Sequence, residues 1–164
     1  MSATIRLAAP LQSDSIVDGE GLRTVIWTQG CRRHCPGCHN PETWAEAGAG
    51  QLILVSDIKA KLAQIPLQAG VTFSGGEPFL QAAACREIAQ YVKQELGWNV
   101  WSFSGYTYEQ LLEEDKEKQA LLCELDVLID GPFILAQRDI SLRFRGSRNQ
   151  RLLRLKNGEI LGVE

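Results

Sequence analysis

Segments typical of strands and of helices alternate along this chain, and this alternation constrains its fold more than any other feature. Residues 22–28 are rich in β-branched side chains and predict a strand, and residues 71–73 and 99–103 predict two more. Helical patterns separate them, in strand–helix units of about thirty residues. Because parallel neighbours need long connections, this order predicts a mainly parallel sheet with helical crossovers.

Local signals mark the other elements. Pro78 suits the first turn of a helix, Thr107 and Gln110 form a possible capping box, and Asn157-Gly158 is typical of a tight hairpin turn. The remaining predicted elements are three helices, a strand and a hairpin, over residues 57–64, 78–96, 107–122, 125–129 and 151–163.

About five strands are too few for a closed eight-stranded barrel. We therefore expect one α/β domain over residues 1–164, an open partial (β/α) barrel with a C-terminal β-hairpin. Ligands of parallel sheets bind at the carboxyl ends of the strands. The residues that lie just past predicted strands, and should share one mouth, are Cys31, Gly75, Ser104 and Asp130.

Charge and composition argue against several functional classes. The formal net charge is −3, which gives no overall attraction to nucleic acid or an anionic membrane. No stretch approaches the roughly 18 apolar residues of a membrane span, and the first residues do not resemble a signal peptide. The five cysteines are an odd number, and three lie within eight residues, which suits reduced cytosol better than a disulfide framework. We expect a cytoplasmic protein with no nucleic-acid or membrane partner.

The clustered cysteines, Cys31, Cys35 and Cys38, have C-x3-C-x2-C spacing in a loop over residues 30–50. Thiolates bind both iron–sulfur clusters and zinc, so a structural zinc site completed by His34 or His39 is an alternative to a cluster. A four-iron cluster usually takes four cysteines. Three would leave one iron free to bind another molecule.

The other two cysteines, Cys85 and Cys123, fall inside predicted helices, and we expect them to be buried small apolar residues rather than ligands. For His34 and His39 we favour exposed loop positions that tune the cluster over roles as general bases or zinc ligands.

Gly75-Gly76-Glu77 follows a short apolar strand and precedes a predicted helix. By itself such a Gly-Gly pair is usually a tight turn. Glycines also let the backbone approach a ligand closely, and the Glu77 carboxylate can pair with an ammonium group.

The C-x3-C-x2-C motif resembles the signature of the radical S-adenosylmethionine (SAM) superfamily, and its surroundings narrow the resemblance. The chain is similar to the glycyl-radical-enzyme activases, most of all to the activating proteins of anaerobic (class III) ribonucleoside-triphosphate reductase. The segments that carry the resemblance are residues 15–23, 30–44, 72–78, 105–107, 128–133 and 144–150. They cover nearly the whole chain, in order.

The resemblance implies a radical SAM oxidoreductase with a [4Fe–4S] cluster on Cys31, Cys35 and Cys38, whose open iron chelates the methionine end of SAM. An electron donor such as flavodoxin or ferredoxin would reduce the cluster, and SAM would be cleaved to methionine and a 5′-deoxyadenosyl radical. That radical would remove a hydrogen from a glycine in the glycyl radical loop of the reductase large subunit. The cofactors carry this chemistry, and no further catalytic residue is expected.

The same resemblance assigns contacts to SAM. Gly75-Gly76-Glu77 would bind its amino group, and the backbone of Gly37, Cys38 and His39 would contact its adenine. Gly37 and His39 stand where aromatic side chains are common in the superfamily, which weakens the case for adenine stacking by the side chain at either position.

A further set of residues is expected at the SAM pocket rim or at the docking face for the reductase: Asp18, Asp130, Arg143, Arg145 and Arg148. Asp130 resembles a position that can help to hold a monovalent cation, whereas Asp18 also suits an Asx turn. The arginines belong to residues 138–156, which carry seven cations and one acid. A solvated strand face is the alternative for this segment.

Three rival functions follow from the same residues. The first is an activase of another glycyl radical enzyme, of the formate-lyase type. The compact chain, with no second cysteine cluster between residues 44 and 75, favours the reductase. The second is a radical SAM enzyme acting on a small molecule. The third is a zinc-binding interaction module, which would leave Gly75-Gly76-Glu77 unexplained.

Overall fold

The computed structural model describes residues 3–38, 40–46 and 49–164, and in this part of the chain nine strands form a single mixed sheet. The strands are β1 (Thr4–Leu7), β2 (Gln12–Ser15), β3 (Arg23–Thr28), β4 (Gln51–Leu54), β5 (Gly70–Gly75), β6 (Asn99–Phe103), β7 (Val127–Asp130), β8 (Arg151–Lys156) and β9 (Glu159–Val163). The α-helices are α1 (Val55–Leu62), α2 (Ala82–Glu95), α3 (Tyr108–Leu112) and α4 (Lys116–Glu124). Short 3-10 segments lie at Pro41–Thr43, Pro78–Gln81 and Leu135–Gln137.

The sheet has the order β4-β1-β3-β5-β6-β7-β8-β9, with β2 paired to β3. The central strands β3, β5, β6 and β7 are parallel, and the flanking strands pair antiparallel. Helices lie in the connections between the parallel strands, which confirms the predicted α/β class. The parallel strands also bring their carboxyl ends to one edge of the sheet, where the segments carrying Cys31, Gly75 and Ser104 emerge.

Side chains alternate between the two faces of the sheet. The main core lies between one face and the helices, and its strand members include Ile26, Phe73, Val100 and Leu128. A smaller apolar cluster on the opposite face consists of Trp101, Val127, Ile129 and Leu152. None of the helices in the described part of the chain has the length and apolar character needed to cross a membrane.

Most predicted elements agree with the structure, including β6 and the β8–β9 hairpin. The single helix over residues 107–122 is wrong, because α3 ends at Leu112 and a new helix begins at Lys116. The Asp115 side chain accepts a hydrogen bond from the backbone N–H of Lys118 (3.0 Å) and caps this second helix. The count of about five strands is also too low, since β1, β2 and β4 have only four residues each.

The two cysteines outside the loop differ in burial. Cys85 on α2 is fully buried, as predicted, and burial raises the pKa of its thiol well above the ordinary range. Cys123 is exposed on α4, so the expectation that it is buried is wrong. Membership of a helix does not decide burial, because only one face of each helix meets the sheet.

Candidate iron–sulfur and SAM site

A cavity of about 290 Å³ opens at the carboxyl ends of the parallel strands. Its wall contains all three clustered cysteines together with Gly75-Gly76-Glu77 and Ser104. Cys31, Gly75 and Ser104 therefore share one mouth. The order of the parallel strands produces this meeting, since β3 and β6 both pair with β5.

The cysteine loop leaves β3 and is held at its base by a ladder of backbone hydrogen bonds. The N–H of Gly30 donates to the carbonyl of Thr43 (2.6 Å), and the N–H of Cys31 donates to the carbonyl of Trp44 (3.0 Å). These contacts close a loop of about a dozen residues and attach its two ends to the sheet. Cys31 is thereby placed directly above the end of β3.

Cys35 and Cys38 lie on a tight turn. The N–H of Cys38 donates to the carbonyl of Cys35 (3.0 Å), and Gly37 has a φ of +76°. A Cβ atom at position 37 would lie 2.8 Å from Cδ1 of Leu135. Both the backbone conformation and the available space therefore require glycine here, which explains why no aromatic side chain occupies this position.

Backbone N–H groups point at two of the cysteine sulfurs. Cys38 Sγ accepts from the N–H of Asn40 at 3.4 Å, and the backbone N–H groups of Arg33 and His34 lie close enough to Cys31 to act on its thiol. Burial raises the pKa of the Cys31 thiol, and the two N–H groups oppose that rise because they favour the thiolate. These N–H groups therefore offset part of the cost of placing a negative charge on the buried sulfur.

The glycine pair lets β5 approach the base of the cysteine loop. The N–H of Gly76 donates to the carbonyl of Thr28 (2.8 Å), and the N–H of Glu77 donates to the carbonyl of Gly30 (2.7 Å). A Cβ atom at Gly76 would lie 2.3 Å from that Gly30 oxygen, and Gly75 has a φ of +99°. A side chain at either position would separate the two halves of the cavity wall.

Glu77 lines the cavity although it is only 3% exposed. Its carboxylate accepts from the N–H of Gly105 (2.7 Å), the hydroxyl of Ser104 (2.9 Å) and the N–H of Phe79 (3.2 Å). Burial raises the pKa of this carboxyl group, and these three donors oppose the rise. A carboxylate has about four acceptor positions, so it can still receive a donor from the cavity.

Arg33, for which no role is expected from the sequence, joins the cysteine loop to the segment after β6. Its guanidinium lies 4.8 Å from the centre of the Tyr106 ring and donates to Oε1 of Gln110 (3.3 Å). The same Gln110 forms the predicted capping box with Thr107. The position of Arg33 between Cys31 and Cys35 is the sequence signal that could have identified it. Two further cavity residues without an individual prediction, Phe133 and Gln150, come from the connection between β7 and β8.

The two expected acidic rim residues lie in different places. Asp18 lines the cavity, and its side chain accepts from the hydroxyl of Ser15, as in a local turn. Asp130 is 1% exposed, accepts from the N–H of Tyr108 (2.7 Å) and pairs with Arg151. It is not among the described residues that line the cavity. His39 lies outside the described residues.

Two of the three rim arginines already have acidic or carbonyl partners in this chain. Arg143 pairs with Glu20 (3.3 Å) and with Glu164 (3.8 Å), and Arg145 donates to the backbone carbonyl of Glu164 (2.8 Å). Arg148 is exposed and forms no ion-pair contact with any residue that the structure describes. Its guanidinium is the rim cation that remains available to another molecule.

The chemistry of the cavity wall fits a [4Fe–4S] cluster. Among the described residues, no three His, Cys, Asp or Glu side chains converge on one metal-ion position, whereas the three thiols do line one cavity. A cluster binds each thiolate at a different iron, and N–H donors around the sulfurs stabilise its charge. The indole N–H of Trp44, also in this wall, is buried with no acceptor among the described residues.

Comparison with known proteins agrees with this chemistry. The family model described as "4Fe-4S single cluster domain" matches residues 17–153. The anaerobic ribonucleoside-triphosphate reductase-activating protein of Haemophilus influenzae is 37% identical over 151 residues, which cover 86% of this chain and 93% of that protein. The protein of the same name from Escherichia coli K12 is 30% identical over 145 residues, covering 82% and 90%.

Two other matches cover smaller parts of the other protein. The pyruvate formate-lyase-activating enzyme of Clostridium pasteurianum is 35% identical over 127 residues, which cover 75% of this chain and 53% of the enzyme. The crystal structure of QueE from Escherichia coli superposes with a TM-score of 0.54 at 16% identity, over 63% of this chain and 53% of QueE. At this identity the match with QueE bears on the fold alone.

Proposed function

Because this chain belongs to the 4Fe-4S single cluster domain family, and within it to the radical SAM activases, we propose that it activates anaerobic ribonucleoside-triphosphate reductase. It is an enzyme that uses a [4Fe–4S] cluster and SAM to generate a glycyl radical on that reductase. The observation that carries this function is the meeting of three thiols and Gly75-Gly76-Glu77 in one cavity wall.

Cys31, Cys35 and Cys38 would hold the cluster, and the iron without a cysteine ligand would be available to SAM. Held there, the cluster would supply the one-electron reduction that cleaves SAM to methionine and a 5′-deoxyadenosyl radical, which would take a hydrogen from a glycine Cα. The protein's own part is to position these groups. The backbone N–H groups around Cys31 and Cys38 stabilise thiolate ligands.

Glu77 would bind the ammonium group of SAM, with Gly75 and Gly76 allowing the backbone to approach its methionine end. The buried carboxylate is fixed by Gly105 and Ser104, so it does not have to reorganise when a cation arrives. We assign the adenine to the backbone of Gly37, Cys38 and His39. Phe133 and Leu135 lie against Gly37 and would help to exclude water from this side.

The finer points of this proposal concern architecture and partners. Residues 1–164 would form one radical SAM domain, and its sheet would curve as an open partial barrel. The partner would be the glycyl radical loop of the reductase large subunit, which must enter the same mouth as SAM. A flavodoxin or ferredoxin would supply the electron, the reaction would take place in the cytoplasm, and no nucleic acid or membrane would take part.

A second candidate partner is a formate-lyase-type enzyme, which the match with the Clostridium pasteurianum activating enzyme favours. That match covers only 53% of the other protein, whereas the reductase-activating relatives are covered over about nine-tenths of their length. The reductase is therefore the better-supported partner.

The test is an anaerobic assay with the reconstituted protein, SAM, a chemical reductant and the large subunit of an anaerobic ribonucleoside-triphosphate reductase. We expect a protein-based glycyl radical signal in electron paramagnetic resonance, with methionine and 5′-deoxyadenosine as products. A parallel assay with a formate-lyase-type enzyme separates the two partners. Radical formation on that enzyme alone would overturn the assignment to the reductase, and Cys38→Ala should be inactive with both.

A further inference from the structure

Trp44 carries an unusual polar group for the wall of this cavity. Its indole N–H is buried and has no acceptor among residues 3–38, 40–46 and 49–164. Native proteins rarely leave a buried donor unpaired, and one that lines a binding cavity is often paired by what the cavity binds. The proposed function leaves this group without a role.

A second tryptophan of the same cavity shows that an indole N–H there can be paired within the protein. Trp27 lines the same cavity, yet its indole N–H donates to Oε1 of Gln12 at 3.2 Å. The two indole groups thus line one cavity but differ in whether a described residue supplies an acceptor.

Trp44 is held on the cysteine side of the cavity. Its backbone carbonyl accepts from the N–H of Cys31 (3.0 Å), and its ring stacks on His34 with centroids 4.5 Å apart and planes inclined by 12°. Both contacts are to the loop that carries the thiols. Glu77, the proposed SAM contact, is instead fixed to Ser104 and Gly105 after β6.

Backbone N–H groups of this loop already act on two of the sulfurs. Asn40 N–H donates to Cys38 Sγ at 3.4 Å, and the N–H groups of Arg33 and His34 favour the thiolate of Cys31. All of these donors are backbone groups in the loop. The indole N–H is the side-chain donor in the described wall that is buried without a partner.

We propose that the indole N–H of Trp44 donates a hydrogen bond to a sulfur of the bound cluster and thereby raises its reduction potential. The inference rests on the proposed function, because it needs a cluster on the three cysteines. A donor to sulfur stabilises the additional negative charge of the reduced cluster more than the oxidised state, so the electron is accepted more readily.

The experiment compares Trp44→Phe with Trp27→Phe in the full chain after anaerobic reconstitution with iron and sulfide. Both changes remove an indole N–H and keep an aromatic ring. We expect both variants to bind iron as the wild type does. Trp44→Phe should lower the midpoint potential in a redox titration, by about 59 mV if the equilibrium constant for reduction falls tenfold, while Trp27→Phe should leave it unchanged.

Three results would overturn the inference while leaving the proposed function intact. They are an unchanged potential in Trp44→Phe, an equal shift in Trp27→Phe, and weaker SAM binding at unchanged potential, which would assign the donor to SAM. If Trp44→Phe does not bind iron, benzothienylalanine at position 44 replaces the N–H by sulfur in a ring of the same size. Failure of the wild type to bind any iron would instead contradict the proposed function.

The cluster-free protein supplies a second readout. Because the indole N–H has no described acceptor before a cluster binds, the protein with benzothienylalanine at position 44, which keeps the size of the ring, should unfold at the same urea concentration as the wild type, or a higher one. The protein with the same replacement at position 27 should unfold earlier, since it loses the bond to Gln12. A large loss of stability in the cluster-free protein with benzothienylalanine at position 44 would mean that the protein itself pairs this N–H, and the inference would be wrong.

Discussion

The three loop cysteines differ from the other two by their position rather than their chemistry. Cys31, Cys35 and Cys38 line the cavity, whereas Cys85 is buried under α2 and Cys123 faces solvent on α4. The backbone N–H groups that point at Cys31 and Cys38 have no counterpart in the contacts of Cys85, whose thiol donates to the carbonyl of Pro78. Whether a cysteine of this chain can bind the cluster thus depends on its position in the fold.

The first prediction follows from this difference. Each of Cys31→Ala, Cys35→Ala and Cys38→Ala should lose the cluster, because two thiolates cannot hold it. Cys85→Ala and Cys123→Ala should retain about four irons per chain. Iron and sulfide analysis after anaerobic reconstitution measures both groups. Tightly bound zinc and no iron uptake in the wild type would contradict the cluster.

Glu77 leads to a prediction of how the stability of the cluster-free protein depends on pH. Its pKa is raised by burial, so the folded protein keeps a proton that the unfolded chain has released. The free energy of unfolding of the cluster-free protein should therefore fall as the pH rises from the ordinary glutamate range through the raised pKa. Glu77→Gln cannot titrate and should lack this fall. Urea unfolding between about pH 5 and pH 8 measures it, and parallel curves for the two proteins would exclude Glu77 as the cause.

The same variant separates SAM binding from cluster assembly. Glu77→Gln should bind iron normally but weaken SAM, because a charge-assisted contact contributes about 1.5–3 kcal/mol, or roughly 10- to 150-fold in affinity. Calorimetry with the cluster-loaded protein measures this loss. Undiminished affinity would remove Glu77 from the SAM site.

At the scale of elements, Asp130 joins parts of the fold that meet beneath the cavity. It ends β7, pairs with Arg151 on β8 and accepts from the N–H of Tyr108 at the start of α3. Arg151 also reaches Glu109 on α3 at 2.7 Å. These contacts give Asp130 a structural role that is sufficient to explain its burial.

We therefore predict that Asp130→Asn lowers the free energy of unfolding by about 1–3 kcal/mol, with SAM affinity unchanged. The matched control is Asp126→Asn before β7, whose carboxylate accepts only from the N–H of Val100 in the described structure (2.8 Å) and should cost less. Chemical denaturation and calorimetry provide the two readouts. Weaker SAM binding at unchanged stability would contradict this and would indicate that Asp130 contributes to the SAM pocket.

At the scale of the whole molecule, charge is distributed unevenly around the mouth. Arg143 and Arg154 both pair with Glu20 and Glu164, so these cations are largely balanced within the chain. Arg148 is exposed beside the loop that contributes Phe133 and Gln150 to the cavity. Of the three rim arginines, Arg148 is the one that has no ion pair with a described residue.

Reversal of that charge should affect partner docking alone. Arg148→Glu should slow glycyl-radical formation severalfold at low salt, because rim charges act mainly on association, and added salt should reduce the difference. SAM cleavage by a chemical reductant without the partner should be unchanged. Arg86→Glu, on the exposed side of α2 away from the mouth, is the control. A fall in both activities of Arg148→Glu would assign the arginine to the SAM pocket.

The sequence by itself determined the α/β class, the parallel centre of the sheet, the capping box at Thr107 and the hairpin at Asn157-Gly158. Each depends on side-chain periodicity or on local backbone preference, which a linear pattern contains. It also placed the three cysteines in one loop, because their spacing is local. The strands β1, β2 and β4 were missed because their pairing partners are distant in sequence, so each short segment alone does not reveal a strand.

Only the tertiary structure decided which side chains share the cavity and which are already paired. Asp130 is the last residue of a parallel strand and Ser104 follows the neighbouring one, yet Asp130 forms an ion pair with Arg151, twenty-one residues later. The contacts of Arg33 with Tyr106 and Gln110, and the lack of a described acceptor for the Trp44 indole, likewise depend on residues distant in sequence. Burial and pairing depend on contacts between residues far apart in the chain, and those contacts exist only once the parallel strands have brought their carboxyl ends together.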